Sequence, residues 1–153
     1  MAHIYQLMRE QWIPRPIEEA FAFFSRPENL EEITPPFLGF HIGRAEKELR
    51  AGSLIEYKLR IRGVPMRWLT EIEVWEPPCR FVDNQLRGPY KLWHHEHRFA
   101  ERDGGTLISD RVDYALPFGV LGQIVHGLIV RRDVESIFEF RRKRLEEVLG
   151  APE

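Results

Sequence analysis

At 153 residues, with 43% hydrophobic and 30% charged side chains, the chain has the composition of an ordinary soluble globular protein and the length to bury a real core. Its 22 lysines and arginines against 24 aspartates and glutamates leave a formal charge of −2, so no basic excess supports a nucleic-acid partner. The lone Cys79 excludes an internal disulfide and suits a reducing, cytoplasmic setting; with no base assignable beside it, the thiol reads as a bystander.

The opening MAHIYQLMRE lacks the basic-then-apolar layout of a signal peptide, and residues 3 to 13 read as a strand that ends at Pro14 and Pro16. Ile17, Ala20, Phe21 and Phe24 then recur at i, i+3, i+4 and i+7, the stripe of an amphipathic helix with Pro16 at its first turn. Ser25 and Glu28 have capping-box spacing, and with Pro27 they predict a second short helix over PENLEEI. From Phe37 to Leu116 the pattern is that of strands. Ile55, Tyr57, Leu59 and Ile61 alternate with Glu56, Lys58, Arg60 and Arg62; after a turn at Gly63-Val64-Pro65 the inward phase resumes at Met66, Trp68, Thr70, Ile72 and Val74. Pro77-Pro78 breaks that strand, RFVDNQL follows, and Gly88-Pro89 opens the stretch YKLWHHEHRF.

The apolar run ALPFGVLGQIVHGLIV, 115 to 130, is broken by Pro117, Gln123 and His126. It falls short of the roughly 20 residues a membrane span needs, so it predicts an internal helix face and no membrane span. That helix is expected to run from about Val120 to Leu149, with apolar residues at Val134, Ile137, Phe138, Leu145 and Val148 in its second half. Strand, two short helices, a run of antiparallel strands and one long helix make an α+β domain in which the helix covers a curved sheet.

Asp103-Gly104 is a strong hairpin signal. A tight turn there pairs Phe99 with Ile108, His97 with Asp110, His95 with Val112 and Trp93 with Tyr114 on one face. Arg98, Glu96 and His94 meet Ser109, Arg111 and Asp113 on the other. A one-residue slip would scramble both faces. His94 therefore belongs on the surface, while His95 and His97 point inward with Asp110.

Three readings of that trio are open. As a metal site, two histidines and a carboxylate leave an open position. The spacing from Gly88 also comes near the first cupin motif, but it is off by one and no second motif follows. As catalytic groups, a carboxylate-held imidazole is a general acid or base with a pKa near neutrality. As a satisfied buried network, the trio marks the polar end of an apolar cavity, and this is the reading we favour; no metal or cofactor is expected.

PRPIEEAFAFFSRPENLEEITPPFLGF, WEPPCRFVDNQLRGPYKLWHHEHRF and DRVDYALPFG, in this order, resemble the START-like (SRPBCC) superfamily, in particular its bacterial stand-alone cyclase/dehydrase-like branch. The resemblance implies one domain over residues 1–153 with a helix-grip fold, about seven antiparallel strands wrapped around a long carboxy-terminal helix. It also implies an apolar cavity for lipid or polyketide-like molecules; no established catalytic residue of the superfamily maps onto a position here.

The expected function is binding of a small hydrophobic or amphipathic ligand between sheet and helix, by a monomer or homodimer. The expected pocket takes Tyr57, Leu59, Trp68 and Ile72 from the first strands and Trp93, His95, His97 and Phe99 from the histidine strand. Asp110, Val112 and Tyr114 complete the sheet side, and Leu121, Ile124, Val125 and Leu128 come from the helix. The rival expectation is a cyclase or dehydratase using His95, His97 or Asp110 as acid or base. A third is a protein-interaction module built on the charged end RRKRLEEVL.

Overall fold

The computed structural model describes residues 3–152. Strand β1, Tyr5–Ile13, leads into helices α1, Ile17–Phe24, and α2, Glu28–Glu32, followed by a 3-10 turn at Pro36–Leu38. Six further strands follow: β2 His41–Arg44, β3 Leu54–Ile61, β4 Val64–Glu76, β5 Arg80–Arg87, β6 Leu92–Arg102 and β7 Gly105–Ala115. All seven form one antiparallel sheet in the order β1-β7-β6-β5-β4-β3-β2, so the first and last strands in sequence lie side by side. The chain ends in helix α3, Gly119–Val125, a π turn over His126–Val130, and helix α4, Arg131–Leu149. This is the α+β arrangement expected from the residues and the helix-grip fold that the START-like resemblance implies.

Local chemistry explains the joints. Asp103 and Gly104 both take left-handed φ, 49° and 77°, as the two-residue turn between β6 and β7 requires. The β6–β7 register has His97 opposite Asp110 and His95 opposite Val112, as the alternation predicts. The β3–β4 turn lies one residue earlier than expected, at Arg62 and Gly63, with φ of 49° and 82°; Val64 and Pro65 already belong to β4. Ser25 is not an N-cap. Its backbone N–H and its Oγ both bond back to α1, the hydroxyl donating to the Ala22 carbonyl at 2.7 Å, so it closes that helix rather than opening the next. The long terminal helix is present, but the π turn interrupts it and turns His126 inward, where Tyr114 Oη and His126 Nε2 lie 2.8 Å apart.

One end of the core packs Phe21, Phe24, Phe99, Ile108, Leu145 and Leu149 together with Ile13 and Ile17. Beside it, Leu7, Val112 and Tyr114 meet Val134 and Phe138 of α4. The β4–β5 ladder, unlike β6–β7, is irregular. Register shifts between Leu69 and Thr70 and between Ile72 and Val74 interrupt it. Among the described residues no helix is long and apolar enough to cross a membrane.

Candidate functional site

Between α4 and the concave face of β3–β6 lies a cavity of about 210 Å³. An apolar cavity of about 150 Å³ accepts benzene, so this one has room for a small bicyclic skeleton. Its walls are largely aromatic and aliphatic. Tyr57, Leu59 and Ile61 come from β3, Trp68 and Ile72 from β4, Tyr90 and Trp93 from the entry and start of β6, and Ile137 and Phe138 from α4; Phe24, Leu38 and Phe40 complete them. Trp68 stacks on Tyr57 at 5.7 Å between centroids and meets Trp93 edge to face at 5.5 Å. Tyr57 Oη and Thr70 Oγ1 are hydrogen-bonded at 3.0 Å, and burial pushes the phenol's pKa up, so its hydroxyl stays protonated.

One end of the cavity is polar. His95 and His97 stand stacked, 3.6 Å between centroids and 25° between planes, with a carboxylate on either side. His95 Nε2 lies 2.8 Å from Asp110 Oδ1, and His97 Nε2 lies 2.6 Å from Asp83 Oδ2. The remaining ring nitrogens face the opposite carboxylates, His95 Nδ1 at 3.7 Å from Asp83 and His97 Nδ1 at 3.2 Å from Asp110. Arg141 of α4 closes the group from above, with Nη2 at 3.3 Å from His97 Nδ1 and 3.4 Å from Asp110 Oδ1. Its Nε has no hydrogen-bond acceptor, but the guanidinium lies over the faces of Phe24 and Phe138, which favour a cation. Burial lowers the pKa of His95 to about 4, aided by the neighbouring His97 ring and opposed by the two carboxylates. Burial alone would raise Asp110; the Arg141 charge and the imidazole bonds overcome it and hold the group well below the ordinary range. Burial pushes Asp83 up as well, and the two histidines outweigh it to leave that carboxyl lowered.

The sequence profile of the family described as polyketide cyclase/dehydrase and lipid transport matches residues 13–139. The chain belongs to this family. No curated protein sequence matches this family member, whereas solved structures share its fold widely. The protein TTHA0849 from Thermus thermophilus is 21% identical with a TM-score of 0.67, over 94% of this chain and 99% of that one. CV1439 from Chromobacterium violaceum superposes with a TM-score of 0.74 at 14% identity, covering 97% and 99% of the two chains. Major latex-like protein 151 from Panax ginseng gives 0.58 at 17% identity, over 87% and 96%. At these identities the likeness is one of fold, and it agrees with the START-like, SRPBCC-type resemblance.

The residues expected from the sequence to line a pocket in this family member divide into four groups. Tyr57, Leu59, Trp68, Ile72, Trp93, His95 and His97 line the cavity together. Phe99, Val112 and Tyr114 point inward but are consumed by packing, Phe99 against α1 and the other two beneath α4. Asp110 is buried behind the histidines rather than on the wall. The expected pairing with His97 is present, Nδ1 at 3.2 Å from Asp110 Oδ1, but the shorter bond of Asp110 is to His95 at 2.8 Å and the shorter bond of His97 is to Asp83 at 2.6 Å. Leu121, Ile124, Val125 and Leu128 require correction: they are 67%, 53%, 44% and 73% exposed, and none lines the cavity. The sheet ends at Ala115, and α3 carries these residues past its edge.

Two residues of the polar end escaped the sequence reading. Asp83 follows Phe81 at strand period two, facing the same side opposite His95, a signal visible only once β5 is paired with β6. Arg141 lies three residues after Phe138 and four before Leu145, on the buried stripe of α4, although in sequence it reads as part of a charge run.

Proposed function

We propose that this protein binds a small hydrophobic or amphipathic molecule, of about bicyclic size, in the cavity between its sheet and α4. The observation that supports this best is the cavity itself: a chain with four tryptophans and ten phenylalanines leaves 210 Å³ unfilled where it had the means to pack it. A few polar groups gathered at one end of an apolar space are what orients a bound ligand. A thermal-shift screen with bicyclic aromatics, short fatty acids and polyketide-like compounds tests it. Stabilisation by compounds of cavity size, and none by larger rigid ones, is expected; no shift across the panel contradicts it.

One observation favours a second reading. Asp83, His95 and His97 reach the cavity wall instead of being sealed beneath it, so an acid or base could touch a bound ligand there. A cyclase or dehydratase would then lose turnover in His97→Ala while keeping ligand binding. Equal turnover in variant and parent would leave the binding role alone.

A further inference from the structure

The chemistry of the ligand can be narrowed from two acceptors at the polar end with capacity to spare, given that the cavity is a binding site. A carboxylate offers about four lone-pair positions, yet Asp83 accepts a single hydrogen bond, from His97 Nε2. Among the described residues no donor reaches His95 Nδ1, whose side chain is 5% exposed. The Nε2 hydrogen of His95 is given to Asp110, so Nδ1 carries a lone pair, and it faces Asp83 Oδ2 at 3.7 Å. Acceptor stands against acceptor at a cavity wall, a pairing that buried polar groups normally avoid.

The charges point the same way. Arg141 Nη2 and His97 Nδ1 both sit beside Asp110 Oδ1, at 3.4 and 3.2 Å, so the guanidinium's hydrogen bond goes to Asp110 and none reaches Asp83. Asp83 is thus the carboxylate that faces the cavity without a guanidinium bonded to it. The same cavity is lined by Trp68, Tyr90 and Trp93, aromatic rings of the kind that attract cations. We propose that the ligand is an organic amine, its protonated nitrogen donating to Asp83 and His95 Nδ1 and its apolar skeleton lying against these aromatic walls.

A divalent metal would answer the same charge, since ligand atoms of Asp83, His95 and His97 lie within 4.8 Å of one another. The stacked imidazoles argue against it: at 25° between planes their lone pairs run side by side and do not converge on one point. Arg141 also sets a positive charge beside His97.

Calorimetric titration at neutral pH with four ligands on one skeleton tests the proposal: naphthylmethylamine, naphthalenemethanol, methylnaphthalene and naphthoate. The amine should bind about tenfold or more tighter than methylnaphthalene, and naphthoate should bind weakest. Asp83→Asn should bring the amine to the level of methylnaphthalene and leave methylnaphthalene unchanged. An amine no tighter than methylnaphthalene, or matched by the alcohol, overturns the proposal while keeping the cavity. Stoichiometric Zn2+ binding that displaces the amine overturns it in favour of a metal. Failure of all four ligands brings down the cavity reading itself. If the Asp83→Asn protein does not fold, the ranking of the four ligands on the parent protein decides alone.

Discussion

The two sides of the sheet meet helix α4 in opposite ways. Under β1 and β7, Leu7, Val112 and Tyr114 interlock with Val134 and Phe138, and Leu145 is 1% exposed in a cluster of phenylalanines from α1, β5 and β6. Under β3 to β5 the same helix faces open space. Strands β6 and β7 pair without a shift along their whole length, whereas the β4–β5 ladder slips twice. One helix can therefore anchor a fold along one edge and roof a cavity along the other. Stability and binding are divided between the two sides, and mutation can separate them.

The largest expected effect is a contrast between identical substitutions. Leu145→Ala on the packed side should cost about 4–5 kcal/mol, and Leu59→Ala on the cavity wall about 2–3, because a side chain beside existing space has fewer contacts to lose. Urea unfolding of both proteins measures this. Equal costs would mean that the two sides are packed alike.

Next is Asp110→Ala, which strips His95 Nε2 and Arg141 of their buried acceptor and should destabilise by about 1–3 kcal/mol. His94→Ala, on the outer face, should change stability by a few tenths at most. The reverse ranking would invert the facing of β6.

The pH dependence should also localise to the polar end. With its pKa lowered to about 4 by burial, His95 favours the folded state as a neutral ring. Its contribution is intact above about pH 6.5, the ordinary histidine value, and is lost as pH falls from there toward 4. Asp83 and Asp110, both lowered, keep their contributions until pH drops below the ordinary carboxylate value of 3.8. Denaturant midpoints taken across this range should decline from pH 6.5 to 4, and the slope should flatten in His95→Gln. A residual slope belongs to His126, lowered in the same direction chiefly by burial. An unchanged profile in His95→Gln would assign the decline elsewhere.

The smallest effect concerns the mouth of the cavity. Arg62, at the tip of the β3–β4 hairpin, grips Asp133 of α4 with two hydrogen bonds of 2.7 and 3.1 Å, and both residues border the cavity. An exposed pair of this kind contributes less than about 1 kcal/mol. Asp133→Asn should therefore leave stability nearly unchanged while speeding ligand exchange in stopped-flow release. Identical release rates would remove the pair from the entry route.

The same contrast explains what could be read from sequence. The β6–β7 register was legible because one Asp-Gly turn and two alternating faces fix it completely. The placement of Asp83 was not, because a Pro-Pro turn and a bulged ladder separate β5 from any hairpin signal. Arg141 was hidden by composition: amid Arg142, Lys143 and Arg144 its position on the buried stripe carries no mark of its own. The apolar run at 118 to 128 misled for a third reason. Hydrophobicity says that a segment avoids water but not where the sheet beneath it stops, and here it stops first.

The most direct test of the cavity as a binding site fills it. Ile137, partly buried on the cavity wall and pointing from α4 toward Trp68 and Trp93, can be enlarged to tryptophan. Ile137→Trp should retain its unfolding free energy to within about 1 kcal/mol, since the added ring enters existing space. Calorimetric titration with methylnaphthalene should show binding to the parent protein and none to the variant. Equal affinity in the two proteins would place the ligand outside the cavity and contradict the account.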